Sequence, residues 1–170
     1  MAATARQAVA FDVPVAEFRT GRALARDPAM ARLGPDVLGP GFDEEEAVRR
    51  LRDRGALGIG NVFKSEVCFA ERLHPFTPVA ALDDQDLLRL VRTARRFLGM
   101  NVLESSGGRM VTDTGLRRTT HRGDPSARLW VYGRAGEQCR RCGERIVLGR
   151  RGLEARTTYF CPRCQVLEAR

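Results

Sequence analysis

No run of eighteen apolar residues occurs in this 170-residue chain, and its first residues lack the apolar stretch of a secretory leader. Neither a membrane-spanning helix nor an exported protein is expected; a soluble cytoplasmic one is. Lysine is nearly missing: Lys64 stands alone among 29 basic side chains, the rest being Arg. The length admits one medium domain or two small ones, which excludes a large enzyme. Cysteines are few as well, five in all, yet four of them form C-x-x-C pairs. In a chain of this kind such pairs argue for metal rather than disulfides.

The net charge of +8 is unevenly spread. Residues 117 to 170 hold thirteen Arg against five carboxylates, so the whole excess lies there, while the first 116 residues balance at sixteen against sixteen. A general preference for Arg explains why the basic residues are not Lys. It does not explain why the excess sits in one segment. A basic segment joined to a neutral one implies a polyanionic partner, and nucleic acid is favoured over membrane because no apolar amphipathic face accompanies the charge.

Along the chain, Val9, Phe11, Val13 and Val15 alternate as in a half-buried strand over residues 8 to 18, which Pro14 confines to a sheet edge. Residues 19 to 42 read as a linker with one short helical turn between Ala23 and Leu33. A first full helix is predicted from an Asp43 cap, with Glu46 reaching back in a capping box and Gly55 as its stop. The glycine-rich run GALGIGN, 55 to 61, leads into a second helix whose apolar residues are Val62, Phe63, Val67, Ala70 and Leu73, ended by His74-Pro75. A third follows Asp83, with Leu87, Val91, Ala94 and Leu98 on one stripe. Residues 105 to 129 read as a polar loop. Beyond it come short β-like pieces, Trp130 to Tyr132, Ile146 to Leu148 and Thr157 to Phe160, in the outline of a zinc ribbon.

The ribbon's cysteines are Cys139, Cys142, Cys161 and Cys164, two C-x-x-C turns separated by eighteen residues. Each turn lets two sulfurs reach one tetrahedral ion, and four thiolates leave no open position for water, so one structural zinc is expected. Two disulfides, four unrelated buried thiols, or iron in the same site are the competing readings. Cys68, inside the second helix, reads as a buried small hydrophobe.

Two segments together resemble one family. GIGNVFKSEV, 58 to 67, looks like the helix-two-turn-helix signature of the bacterial formamidopyrimidine-DNA glycosylase and endonuclease VIII family. LWVYGRAGEQCRRCG, 129 to 143, with EARTTYFCPRCQ, 154 to 165, looks like that family's C-terminal zinc finger. The resemblance runs from about Leu33 onward. It implies a mainly α fold with small β: a remnant of an N-terminal β-sandwich with linker (1–33), a helix-two-turn-helix-like DNA-binding domain (34–104), a loop (105–129) and a zinc finger (130–170). It also implies base-excision repair, with double-stranded DNA carrying a damaged or abasic site as partner, bound by a monomer.

In the family, the asparagine of the GxGN turn and an arginine just before the finger's third cysteine grip the phosphates flanking the lesion. By motif these are Asn61 and Arg156. A glycine turn at a helix start presents N–H groups to a phosphate, and a metal-fixed hairpin can hold a guanidinium opposite. Read without the family, Asn61 is a helix N-cap and Arg156 a solvated strand residue. Lys64 offers a further phosphate contact, or the amine for Schiff-base chemistry at an abasic sugar. The family's Pro-Glu start is not what Met1-Ala2-Ala3-Thr4 presents, and Arg54-Gly55-Ala56-Leu57 joins the GxGN turn where relatives have another helix. The expectation is a DNA grip without its own nucleophile. The alternatives are an abasic-site lyase using Lys64 or the N-terminal amine, and a zinc ribbon serving protein association.

Overall fold

The computed structural model describes residues 17, 19–28, 36–54, 59–105, 108–111, 118–122, 124–150 and 157–167. The chain divides into two compact units, Met1–Gly34 and Pro35–Arg170. Of the residues expected as a strand over 8 to 18 only Glu17 is described, and it lies on no strand; the Gly55 stop and Arg156 lie outside the described residues. In the first unit, helix α1 (Gly21–Ala25) is capped by Thr20, whose hydroxyl accepts from the Ala23 N–H at 3.2 Å.

In the second unit, Asp43 Oδ1 accepts from the N–H groups of Glu45 (2.9 Å) and Glu46 (3.2 Å) and opens helix α2, Glu44–Arg54. The expected return bond of a capping box is replaced. Glu46 turns forward to the guanidinium groups of Arg50 and Arg49, which hold its carboxyl below the usual carboxylate range. Helix α3 spans Gly60–Ala70 and stops before His74-Pro75. Arg72 adopts φ 58°, so that its N–H reaches the Phe69 carbonyl (3.2 Å) and the Leu73 N–H the Cys68 carbonyl (2.9 Å). That paired closure turns the chain before proline can act.

Helix α4, Asp84–Gly99, begins where the Asp83 carboxylate accepts from the Asp86 N–H at 2.7 Å. Asp83→Ala is expected to lower thermal stability by about 1 kcal/mol, measured by denaturant melts, because one N-terminal N–H loses its partner. Ala47, Val48 and Leu51 of α2 bury against Leu87 and Val91 of α4. Phe63 and Val67 of α3 bury against Ala94 and Phe97 of the same helix. Helix α4 is therefore the spine on which α2 and α3 lie. Leu98, placed on the core stripe by its spacing, is only half-buried, and Phe97 takes the buried position.

Strands β1 (Val102–Ser105) and β2 (Gly108–Val111) form an antiparallel hairpin across the start of the stretch read as a loop. Asn101 ties the chain back: its Nδ2 donates to the carbonyls of Phe97 and Arg118, and its Oδ1 accepts from the Arg118 N–H, each at 2.7 Å. A second hairpin joins β3 (Val147–Gly149) to β4 (Thr158–Phe160), pairing Val147 with Phe160 and Gly149 with Thr158. The architecture is mostly helical with little sheet. No helix among the described residues is long and apolar enough to cross a membrane.

Trp130 to Tyr132, expected as a β piece, forms a turn. An extended strand points successive N–H groups to opposite sides. Here the N–H groups of Trp130, Val131 and Tyr132 converge on the carboxylate of Glu66, each at 2.8 Å.

Candidate metal centre

Two tight turns bring the cysteines together. After Cys139, the Gly143 N–H returns to the Cys139 carbonyl (2.9 Å), the Arg141 N–H points at Cys139 Sγ (3.4 Å), and Gly143 takes φ 78°, which a side chain would resist. After Cys161, the Gln165 N–H reaches the Cys161 carbonyl (3.0 Å) while the Gln165 side-chain oxygen accepts from the Cys161 N–H (2.9 Å). The four Sγ atoms all lie within 4.8 Å of one another. Cys139 and Cys164 are 3.9 Å apart, Cys142 and Cys161 3.5 Å.

Those separations discriminate between the readings. A disulfide holds its sulfurs about 2 Å apart. A tetrahedral ion with sulfur bonds of about 2.3 Å spaces its ligands at about 3.8 Å, the separation these pairs straddle. The four cysteines can hold one metal ion, and their donor set fits a closed structural site.

The thiols differ electrostatically. The backbone N–H of Glu144 pulls Cys142 down to about 7, the neighbouring thiols adding to the effect, whereas burial pushes Cys161 and Cys164 up. A cation displaces the remaining protons, so acid competes with metal. Cys68 is not among the four; it is half-buried, and burial pushes its thiol up to about 11, which keeps it protonated at neutral pH.

The knuckles are fastened to α3 at several points. Phe69, fully buried, stacks on Trp130 with ring centroids 5.7 Å apart, and the Arg141 guanidinium lies 4.2 Å above the Phe69 ring while donating to the Phe69 carbonyl at 3.0 Å. Gln165, also fully buried, donates from Nε2 to the Leu73 carbonyl at 2.8 Å. His74, Phe76 and Phe160 form an edge-packed trio against Gly149, where an added Cβ would sit 2.6 Å from Phe76 Cε2. The glycine is there because the ring is.

At the other end of α3, Asn61 donates from Nδ2 to the Thr157 carbonyl, Lys64 Nζ donates to the Thr158 hydroxyl at 2.7 Å, and the Ser65 hydroxyl accepts from the Tyr159 N–H at 3.3 Å. Asn61 is not an N-cap: it is the second residue of α3, after Gly60 with φ 73°. Among the described residues its buried Oδ1 meets no hydrogen-bond donor. The structure thus brings Asn61 and Lys64 onto residues 157 to 158, next in sequence to Arg156, which is itself outside the described residues. Glu66 and Gln165 went unnoticed in the sequence. A carboxylate on the same stripe as Phe63, Val67 and Ala70 was the available signal, because a charged residue on an apolar face must meet donors.

By geometry, then, this is a small helical module welded to a four-cysteine ribbon. No protein-family model matches the chain. Among curated proteins it is 36% identical over 175 aligned positions to "Probable endonuclease 8 2" of Streptomyces coelicolor, covering 94% of this chain and 58% of that one. It is 41% identical over 150 positions to "DNA-(apurinic or apyrimidinic site) lyase Nei2" of Mycolicibacterium smegmatis, covering 81% and 54%. Among solved structures, the MutM (Fpg) protein of Thermus thermophilus superposes with a TM-score of 0.62 at 32% identity, over 86% of this chain and 58% of that one. The Lactococcus lactis Fpg, non-covalently bound to DNA containing an AP site, gives 0.60 at 25%, over 82% and 53%. The chain belongs to the formamidopyrimidine-DNA glycosylase/endonuclease 8 family and matches its C-terminal part. It spans little more than half the length of these relatives.

Proposed function

We propose that this stretch of chain is a DNA grip of base-excision repair, holding duplex DNA at a damaged or abasic site through Asn61, Lys64 and Arg156, with one structural zinc on Cys139, Cys142, Cys161 and Cys164. The carrying observation is the docking of the start of α3 onto Thr157 and Thr158 of the ribbon. That contact sets the GxGN asparagine beside the strand that follows Arg156. In this reading α2 and α3 belong to a helix-two-turn-helix-like domain over 34 to 104, and the finger over 130 to 170 works with it as a monomer. Asn61 retains a second side-chain N–H for a phosphate oxygen, and an ammonium one turn later adds charge. Zinc fits the closed set of four sulfurs better than iron because the ion's task is to shape the hairpin. Glycosylase or lyase chemistry, as the relatives are named for, belongs to the proposal only as the process the grip serves.

The test is fluorescence anisotropy with labelled abasic and intact duplexes at several salt concentrations. Few phosphate contacts predict a shallow but clear loss of affinity with salt. Asn61→Ala and Arg156→Ala are each expected to weaken binding about tenfold, and Arg156→Ala to lower the salt slope by about one. Affinity unchanged by Arg156→Ala would instead favour a ribbon serving protein association.

A further inference from the structure

Glu66 is the most heavily bonded buried charge in the described chain. It is 0% exposed, yet each carboxylate oxygen accepts two bonds: Oε1 from the N–H groups of Val131 and Tyr132, Oε2 from the Trp130 N–H and the Thr119 hydroxyl. None of these donors is a charged side chain. Three consecutive backbone N–H groups make a concave anion nest, and here the anion is supplied by the protein. Had adhesion between α3 and the ribbon been all that was required, an apolar side chain could have provided it without the desolvation cost of a carboxylate. A carboxylate adds direction: three N–H vectors aimed at two oxygens allow the turn one orientation on the helix.

That orientation propagates. Arg134, next to the turn, donates to the carbonyls of Trp130 and Gln138 and to the Glu137 carboxylate, and so delivers the chain into Cys139. The knuckles carry it through β3 and β4 to Thr157 and Tyr159, which return to Asn61 and Ser65 on the same helix. Glu66 lies five residues after Asn61, about 7.5 Å along the axis. The ribbon is held at both ends of one helical segment, and the circuit closes.

We propose that Glu66 is a positioning residue for DNA binding: by anchoring residues 130 to 132 on α3, it sets how Asn61 on the helix docks on Thr157 of the ribbon, so that the Asn61 amide is held in register for its phosphate contact. This rests on the DNA reading above.

A double-mutant cycle tests it, on the zinc-loaded full chain and an abasic duplex, at a temperature where circular dichroism and zinc content match wild type. Glu66→Gln preserves shape, keeps one oxygen for Val131 and Tyr132, and turns a donor toward the Trp130 N–H. It is expected to weaken DNA binding about tenfold with zinc retained, and to reduce the cost of Asn61→Ala from about tenfold to less than threefold, because contacts already out of register cannot be lost twice. A purely structural carboxylate would lower the melting temperature and leave the Asn61→Ala cost unchanged in the folded protein. Should Glu66→Gln not fold, Thr119→Val removes one of the four bonds, with a two- to threefold loss and the same direction of coupling expected. Wild-type affinity in the variant that folds, or full additivity with Asn61→Ala, overturns the proposal. Failure of the wild-type chain to bind any duplex overturns the DNA reading, and this proposal with it.

Discussion

Chelation of the metal is expected to unfold the chain from Trp130 to Gln165 while leaving much of the helical signal in place. The ribbon's own core is small: Val131, Cys139, Ile146 and Cys161 with Phe69 of α3, so that two of its five buried members belong to the four-cysteine set that can hold a metal. Hairpin β3–β4 has only three paired positions. Binding of zinc to comparable small sites supplies on the order of 10 kcal/mol, more than such a core can replace. The two other clusters, Ala47 to Val91 and Phe63 to Phe97, contain no ligand and should survive. The expected readout is a red shift of Trp130 fluorescence with partial retention of far-UV ellipticity, reversed by added zinc. Cys161→Ser should act alike, because three thiolates cannot close the coordination sphere. A chelated protein with unchanged tryptophan emission would mean that the four sulfurs do not carry the fold of the ribbon.

Phe69→Ala should cost about 3 to 5 kcal/mol. The ring is wholly buried, stacks on Trp130 and lies under the Arg141 guanidinium. Its removal leaves a cavity where helix meets ribbon and takes from the Arg141 guanidinium the ring it lies over. Urea melts followed by Trp130 fluorescence measure the loss. A change below 1 kcal/mol would show that the two parts are joined only by hydrogen bonds.

Spacing alone located the metal set, since two C-x-x-C turns are a local geometric code that the distant parts of the chain need not interpret. Helices α2 and α4 were equally legible from Asp43, Asp83 and the apolar stripes, because caps and periodicity are local as well. Long-range hydrogen bonds were not legible. Trp130 to Tyr132 has β-favouring side chains, yet a carboxylate 64 to 66 residues upstream bends it into a turn. By sequence the helix runs on until His74-Pro75 ends it, whereas in the structure Arg72 takes the left-handed conformation that closes it earlier. The Glu46 return bond yielded to two arginines within one turn. Of the proposed grip, Asn61 and Lys64 meet the ribbon as half-buried partners of Thr157 and Thr158. Such pairings depend on which segments fold together, and no local pattern announces them.

The most direct test of a metal-framed DNA grip is one titration carried out three times at low salt: an abasic duplex against zinc-loaded chain, chelated chain, and chelated chain with zinc restored. Saturable anisotropy in the first and third, and none in the second, is the predicted result. Binding of equal strength with and without metal would contradict it, as would a zinc-loaded chain that leaves the duplex free.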